Sequence, residues 1–237
     1  MAIILNIETS TEVCSVTLAE NGLTLFHKES TEGLNHSKLL TVFIQDLFEE
    51  NNIEMSAIDA IAVSKGPGSY TGLRIGVSVA KGLCYGLNIP LIGIGSIDVM
   101  GVWAAKNTAD FYTADNKQEL LFCPMIDARR MEVYTALYNS LGEQILPVTA
   151  EIIDENSYSD YLKDKKILFF GNGAEKCKAE ITHENAFFEG PQLTSARFMQ
   201  NLSEIKYNNQ EFEDLAYFEP FYLKDFVATI PKNKILK

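Results

Sequence analysis

The chain has 237 residues, 46% of them hydrophobic, and a formal net charge of −12; this is apolar material enough for one large core or two small ones, and it excludes a disordered chain. Twenty Lys and Arg stand against 32 Asp and Glu, which argues against a broad basic groove for nucleic acid, because phosphate binding draws on clustered cations. If RNA is involved, a partner holds most of it.

The opening "MAIILNIETS" is too short and too polar for a signal peptide or a membrane span, so the chain reads as cytoplasmic. Three strand-like runs come first: "AIILNIE", "VCSVTLAEN" and "LTLFHKES". Asn21-Gly22 predicts a tight hairpin between the second and third, because both central residues of such a turn need positive φ. "NHSKLLTVFIQDLFEENN" places Leu40, Phe43, Ile44, Leu47 and Phe48 at three- and four-residue steps, which predicts an amphipathic helix with Asn35 placed to cap it. "DAIAVSKG" reads as a buried strand, Thr71 to Leu87 as a helix, "IPLIGIG" as a strand and Ser96 to Lys106 as another helix.

After the polar segment "NTADFYTADNKQE", the runs "LLFCPMID", "MEVYTALYN" and "EQILPVTAE" give three more strands, with "SLGE" as a turn. A strand "KILFFGNG" and helical patterns over Ala174 to Glu180 and Ser195 to Tyr207 complete the chain. The order β-β-β-α-β-α thus occurs twice. It predicts an α/β fold of duplicated ribonuclease H-like lobes, as in the actin-like ATPase superfold, with a first lobe over 1–108 and a reduced second lobe with a C-terminal tail over 109–237. Cys14, Cys84, Cys123 and Cys177 are far apart with no C-x-x-C pair, the pattern of reduced core thiols.

Two turns invite a ligand. In "NIETSTEVCSV" the hydroxyls of Thr9, Ser10 and Thr11 follow Glu8; in the actin-like architecture this turn faces a nucleotide phosphate, although a hydroxyl-rich turn needs no ligand to exist. "KGPGSYTG" matches neither G-x-x-x-x-G-K-[ST] nor G-x-G-x-x-G. What it does offer is Gly66, Gly68, Ser69 and Thr71 at a helix N-terminus, where ATP, ADP or another anion would meet outward N–H groups; the alternative is a tight strand-to-helix connection. Along the helix Gly72, Gly76, Gly82 and Gly86 form two pairs four residues apart. Each costs about 1 kcal/mol relative to alanine, so close approach of something is expected, either the chain's own sheet or another subunit. In "DARRMEVY", Arg129 and Arg130 would grip a phosphate or carboxylate, or else form a turn held by Asp127 with exposed ion pairs.

The stretches "ILNIETSTEVCSVTL", "NHSKLL", "AVSKGPGSYTGLRIGVSVAKGLCYGLNIPLIGIGSID" and "MIDARRMEVYTALY", with the tail "FEPFYLKDFV", resemble the bacterial TsaB family, also called YeaZ. The resemblance implies a partner of TsaD in making threonylcarbamoyladenosine in tRNA, with the ATPase TsaE joining the assembly and tRNA reached through the complex. It implies an interface on the helix after "NHS" and on the glycine helix, at His36, Leu40, Gly72, Arg74, Gly76, Val79, Gly82, Leu83 and Gly86; the same exposed apolar helix face is expected to give a homodimer when the partner is missing. TsaD itself carries an H-x-x-x-H metal pair; here Ser96 and Met100 occupy those positions, and a hydroxyl with a thioether is a poor metal site. His27, His36 and His183 do not fall at ligand spacing. The expected function is therefore a non-catalytic scaffold subunit. The alternatives are an ATP-dependent phosphotransferase using Asp127 and, further off, a metalloprotease-like enzyme. Lys232, Lys234 and Lys237 make the C-terminus basic, and any contact they make with tRNA or an acidic partner should weaken with salt.

Overall fold

The computed structural model describes residues 2–33, 35–113 and 119–224; the basic tail with Lys232, Lys234 and Lys237 lies outside the described residues. Strands β1 (Ile3–Glu8), β2 (Cys14–Glu20) and β3 (Leu23–Ser30) form an antiparallel meander. At the β2–β3 turn Asn21 and Gly22 take φ of 53° and 72°, the left-handed geometry that this residue pair supplies at little cost. Helix α1 (His36–Glu49), strand β4 (Ala60–Gly66), helix α2 (Tyr70–Leu87), strand β5 (Leu91–Gly95) and helix α3 (Ser96–Lys106) follow. The first sheet runs β3-β2-β1-β4-β5, with β4 parallel to β1 and β5 parallel to β4.

The second half repeats the plan. Strands β6 (Leu120–Asp127), β7 (Glu132–Tyr138) and β8 (Gln144–Ile152) form a second meander. Helix α4 (Ser159–Leu162), strand β9 (Lys166–Phe170), helix α5 (Ala174–Cys177) and strand β10 (Ala186–Phe187) close the unit. Its sheet order, β10-β9-β6-β7-β8, is the first sheet's order read from the other edge. This is the duplicated ribonuclease H-like architecture of the actin-like superfold, and the second copy is reduced. Its two helices span four residues each, where α1 and α2 span 14 and 18. The pattern expected over Ala174 to Glu180 therefore yields one turn of helix.

Helix α3 joins the lobes. Val99 packs among Ile4, Ala62 and Ile92 of the first sheet, while Ile97, Met100, Ala104 and Ala105 pack among Phe122, Tyr138 and Phe170 of the second. A side chain at Gly101 would overlap the Tyr138 ring, and the Tyr138 hydroxyl donates to Asp98 Oδ1 at 2.6 Å. Residues 194–222, which chain order assigns to the second lobe, return to the first. Ala196 and Met199 belong to the core under Ile4, Ala60 and Ile94, and α6 (Gln200–Asn208) lies against β1 and β5. The four cysteines are free and buried. Among the described residues no helix is long and apolar enough to cross a membrane.

Candidate functional site

The glycine turn sits where β1 and β4 end side by side, so that the β1–β2 turn and the start of α2 press together. Ser69 N–H donates to Ser10 O at 2.6 Å, and Ser69 Oγ accepts from Gly72 N–H at 3.3 Å as the α2 cap. Thr9 Oγ1 donates to Gly72 O at 2.9 Å. Thr11 Oγ1 bonds Thr194 Oγ1 at 3.0 Å. The polar groups that the sequence holds out to an anion, Thr9, Thr11, Ser69 and the Gly72 amide, are thus spent inside the chain. Of that group Thr71 is exposed, and Ser10 Oγ is buried without a partner. As folded, Gly66 and Gly68 serve a packing junction. A Cβ at Gly68 would overlap Ser10 O, and one at Gly66, whose φ is +106°, would meet Phe221 O at 2.8 Å.

Glu8 lies under this junction, fully buried. Its Oε1 accepts the Ser10 N–H at 2.6 Å, but Oε2 has no partner. Burial pushes its carboxyl above the ordinary range, against smaller opposing contributions from the donors of Ser10, Ser64 and Thr9 around it. Ser96 and Met100 are buried one turn apart at the start of α3. Among the described residues no three His, Cys, Asp or Glu side chains gather as ligands. Asp127, the acid that a phosphotransferase would use, accepts the Arg129 N–H at 2.8 Å and pairs with Lys176.

Apart from Arg74, the residues expected at an interface divide into three groups. His36 and Leu40 are 2% and 1% exposed: His36 Nε2–H donates to Val13 O at 3.0 Å, and Leu40 joins the core under α1. They hold α1 to its own sheet, which corrects their assignment to a partner surface. Gly72 and Gly76 are buried too, and a Cβ on either would overlap Thr9; their close neighbour is the chain itself. Gly82 and Gly86 are exposed, and a Cβ at either position would meet nothing within 4 Å. With Val79 and Leu83 they form a strip at three- and four-residue steps along α2. Beside it runs a groove of about 680 Å³, lined by Ile44, Phe48, Ile53, Met55, Val79 and Leu83.

Arg74 belongs to a feature that sequence reasoning missed. Its Nε donates to Tyr222 OH at 3.0 Å and its guanidinium lies 4.2 Å from the Tyr70 ring centre. Lys81 Nζ donates to Ala216 O at 3.2 Å and Phe218 O at 2.9 Å, Glu213 N–H to Leu91 O at 2.9 Å, and Phe221 N–H to Lys65 O at 2.7 Å. Residues 211–222 thereby strap the edge of β5 and the flank of α2. The signal was the family-like tail "FEPFYLKD", whose aromatic residues lack helical or strand periodicity.

The sequence profile of the family described as "TsaD: tRNA N6-adenosine threonylcarbamoyltransferase" matches residues 31–232. The tRNA threonylcarbamoyladenosine biosynthesis protein TsaB of Bacillus subtilis is 31% identical over 232 residues, covering 93% of each chain. The chain belongs to the TsaB (YeaZ) family. The TsaB of Haemophilus influenzae is 28% identical over 236 residues, 95% of this chain and 94% of its own. A crystal structure from Pseudomonas aeruginosa, described as similar to the peptidase YeaZ, superposes with a TM-score of 0.79 at 25% identity, over 94% of this chain and all of that one. Both of these TsaB relatives are named for tRNA threonylcarbamoyladenosine biosynthesis.

Proposed function

We propose that the chain is a non-catalytic scaffold subunit that binds a TsaD-type threonylcarbamoyltransferase through the α1–α2 face, in an assembly joined by a TsaE-type ATPase. One observation carries this reading. Gly82 and Gly86 cost the helix about 1 kcal/mol each relative to alanine, and among the described residues nothing lies within 4 Å of where a Cβ would stand on either. The fold has no use for the missing side chains, whereas a helix of another subunit laid along Val79, Gly82, Leu83 and Gly86 would, since small residues let backbones close to interior packing density. Val42 of α1 and Tyr85 of α2 are exposed as well, at 47% and 83%. Without the partner the same apolar face favours a homodimer. Ser96 and Met100, standing where the transferase has its histidines, support a chain that lends shape rather than chemistry.

Gly82→Leu and Val79→Asp should each fold and each lose co-purification with the TsaD-type partner, and light scattering should show the isolated variants as monomers. Parental co-purification by both variants would place the interface elsewhere.

A further inference from the structure

We propose that the tip of the β6–β7 hairpin is a phosphate-binding site whose ligands are Arg129 and Arg130. Both residues take left-handed backbone conformations, with φ of 73° and 53°. L side chains avoid that region, and Gly, Asn and Asp enter it at the least cost. The same chain meets a similar need at the β2–β3 turn with Asn21 and Gly22. Arginine in both positions is therefore not what the turn requires; the side chains are what the turn presents.

Hydrogen bonds fix the tip, and both guanidiniums stay outside its ion pairs, Arg129 acting only on the nearby Tyr134 hydroxyl. Arg129 N–H donates to Asp127 Oδ1 at 2.8 Å, Asp127 N–H to Asn172 Oδ1 at 2.9 Å, and Asn172 Nδ2 to Glu12 Oε2 of the first lobe at 2.9 Å. Both nearby carboxylates already have cations: Lys176 pairs with Asp127 and Lys224 with Glu132. Arg129 and Arg130 are exposed, and neither joins an ion pair among the described residues. The ion pairs that do form at this turn use Lys176 and Lys224 and leave both arginines out. Two neighbouring planar forks fit phosphate oxygens bidentately. The charge of a terminal phosphate, or of successive phosphodiesters, offsets both cations, where a single carboxylate offsets one. A nucleotide and an RNA backbone share this chemistry.

The proposal is independent of the α1–α2 reading, and its failure leaves that reading intact. The test titrates the full-length chain with inorganic tripolyphosphate, ATP, an anticodon stem-loop RNA and a polyglutamate peptide. Three proteins are compared: the parent, an R129N/R130G double variant and an R129K/R130K double variant. The Asn-Gly variant relieves the backbone, so its Tm should equal or exceed the parent's, which separates lost binding from lost folding. At least one phosphate probe should bind the parent and weaken by about tenfold or more in the Asn-Gly variant, with the Lys-Lys variant between them. Binding of tripolyphosphate and ATP alone identifies a nucleotide-type ligand; binding of RNA alone identifies a phosphodiester backbone. Equal affinity of the parent and the Asn-Gly variant for all three phosphate probes, or tighter binding of polyglutamate than of any of them, would overturn the proposal.

Discussion

Glycines that look equivalent in "GLRIGVSVAKGLCYGL" answer to different causes. Their four-residue spacing was legible in the sequence; what each one approaches was not, because that depends on where the β1–β2 turn lands. A Cβ at Gly76 overlaps Thr9 Oγ1, whereas one at Gly82 meets open space. Gly76→Ala should therefore cost about 1–3 kcal/mol through overpacking, and Gly82→Ala should gain up to about 1 kcal/mol from helix propensity. Urea denaturation of the two variants checks this, and similar midpoints would contradict it. By the same geometry a bulky residue at position 76 should harm folding first, whereas one at position 82 meets no described atom and tests partner binding instead. Glu8 makes a second prediction at this scale. Because burial raises its carboxyl pKa in the folded chain, the unfolded chain gives up the proton first as pH rises. The group's contribution then turns against the fold from the unfolded value upward and levels off above the folded value. Glu8→Gln should thus gain stability over the parent progressively as pH rises through and above the ordinary glutamate value of 4.5, read as a widening difference in urea midpoint. A constant difference across that range would mean that Glu8 ionises alike in both states.

Element boundaries in the first lobe followed closely from apolar periodicity, and α3 spans Ser96–Lys106 as its pattern predicts. Capping was less legible. Asn35 precedes α1 but makes no side-chain cap, its backbone carbonyl accepting from Lys38 and Leu39 instead, whereas Ser69, which carried no such expectation, caps α2. The strap over 211–222 had no periodic signal beyond its aromatic tail, since it holds by single hydrogen bonds and aromatic contacts rather than by a repeating face. Lys81 is its main tie to α2, donating to two carbonyls. Lys81→Ala should cost about 1 kcal/mol and speed hydrogen exchange at the Glu213 and Phe221 amides, with α2 protection unchanged. Unaltered exchange at those two amides would show that the strap is held by its aromatic residues instead.

For the molecule as a whole, the repeated strand order announced two lobes, and the two five-stranded sheets share one topology. What chain order could not reveal is how the lobes are joined. Helix α3 fills the space between the sheets, and residues 194–208 cross back to cover the first sheet's second face. That face is closed from within, while the α1–α2 face of the same lobe keeps an open groove and two uncovered glycines. This helical surface is therefore open to a partner, and the task proposed for this chain is to present it. The direct measurement is threonylcarbamoyl transfer to tRNA in a reconstituted mixture of TsaD-type and TsaE-type proteins with this chain, its Gly82→Leu variant, or neither. The account predicts formation of the modified nucleoside with the parent chain, loss of most of it with the variant, and none from the parent chain alone. Transfer by the unaccompanied chain, or full activity with the variant, would contradict it.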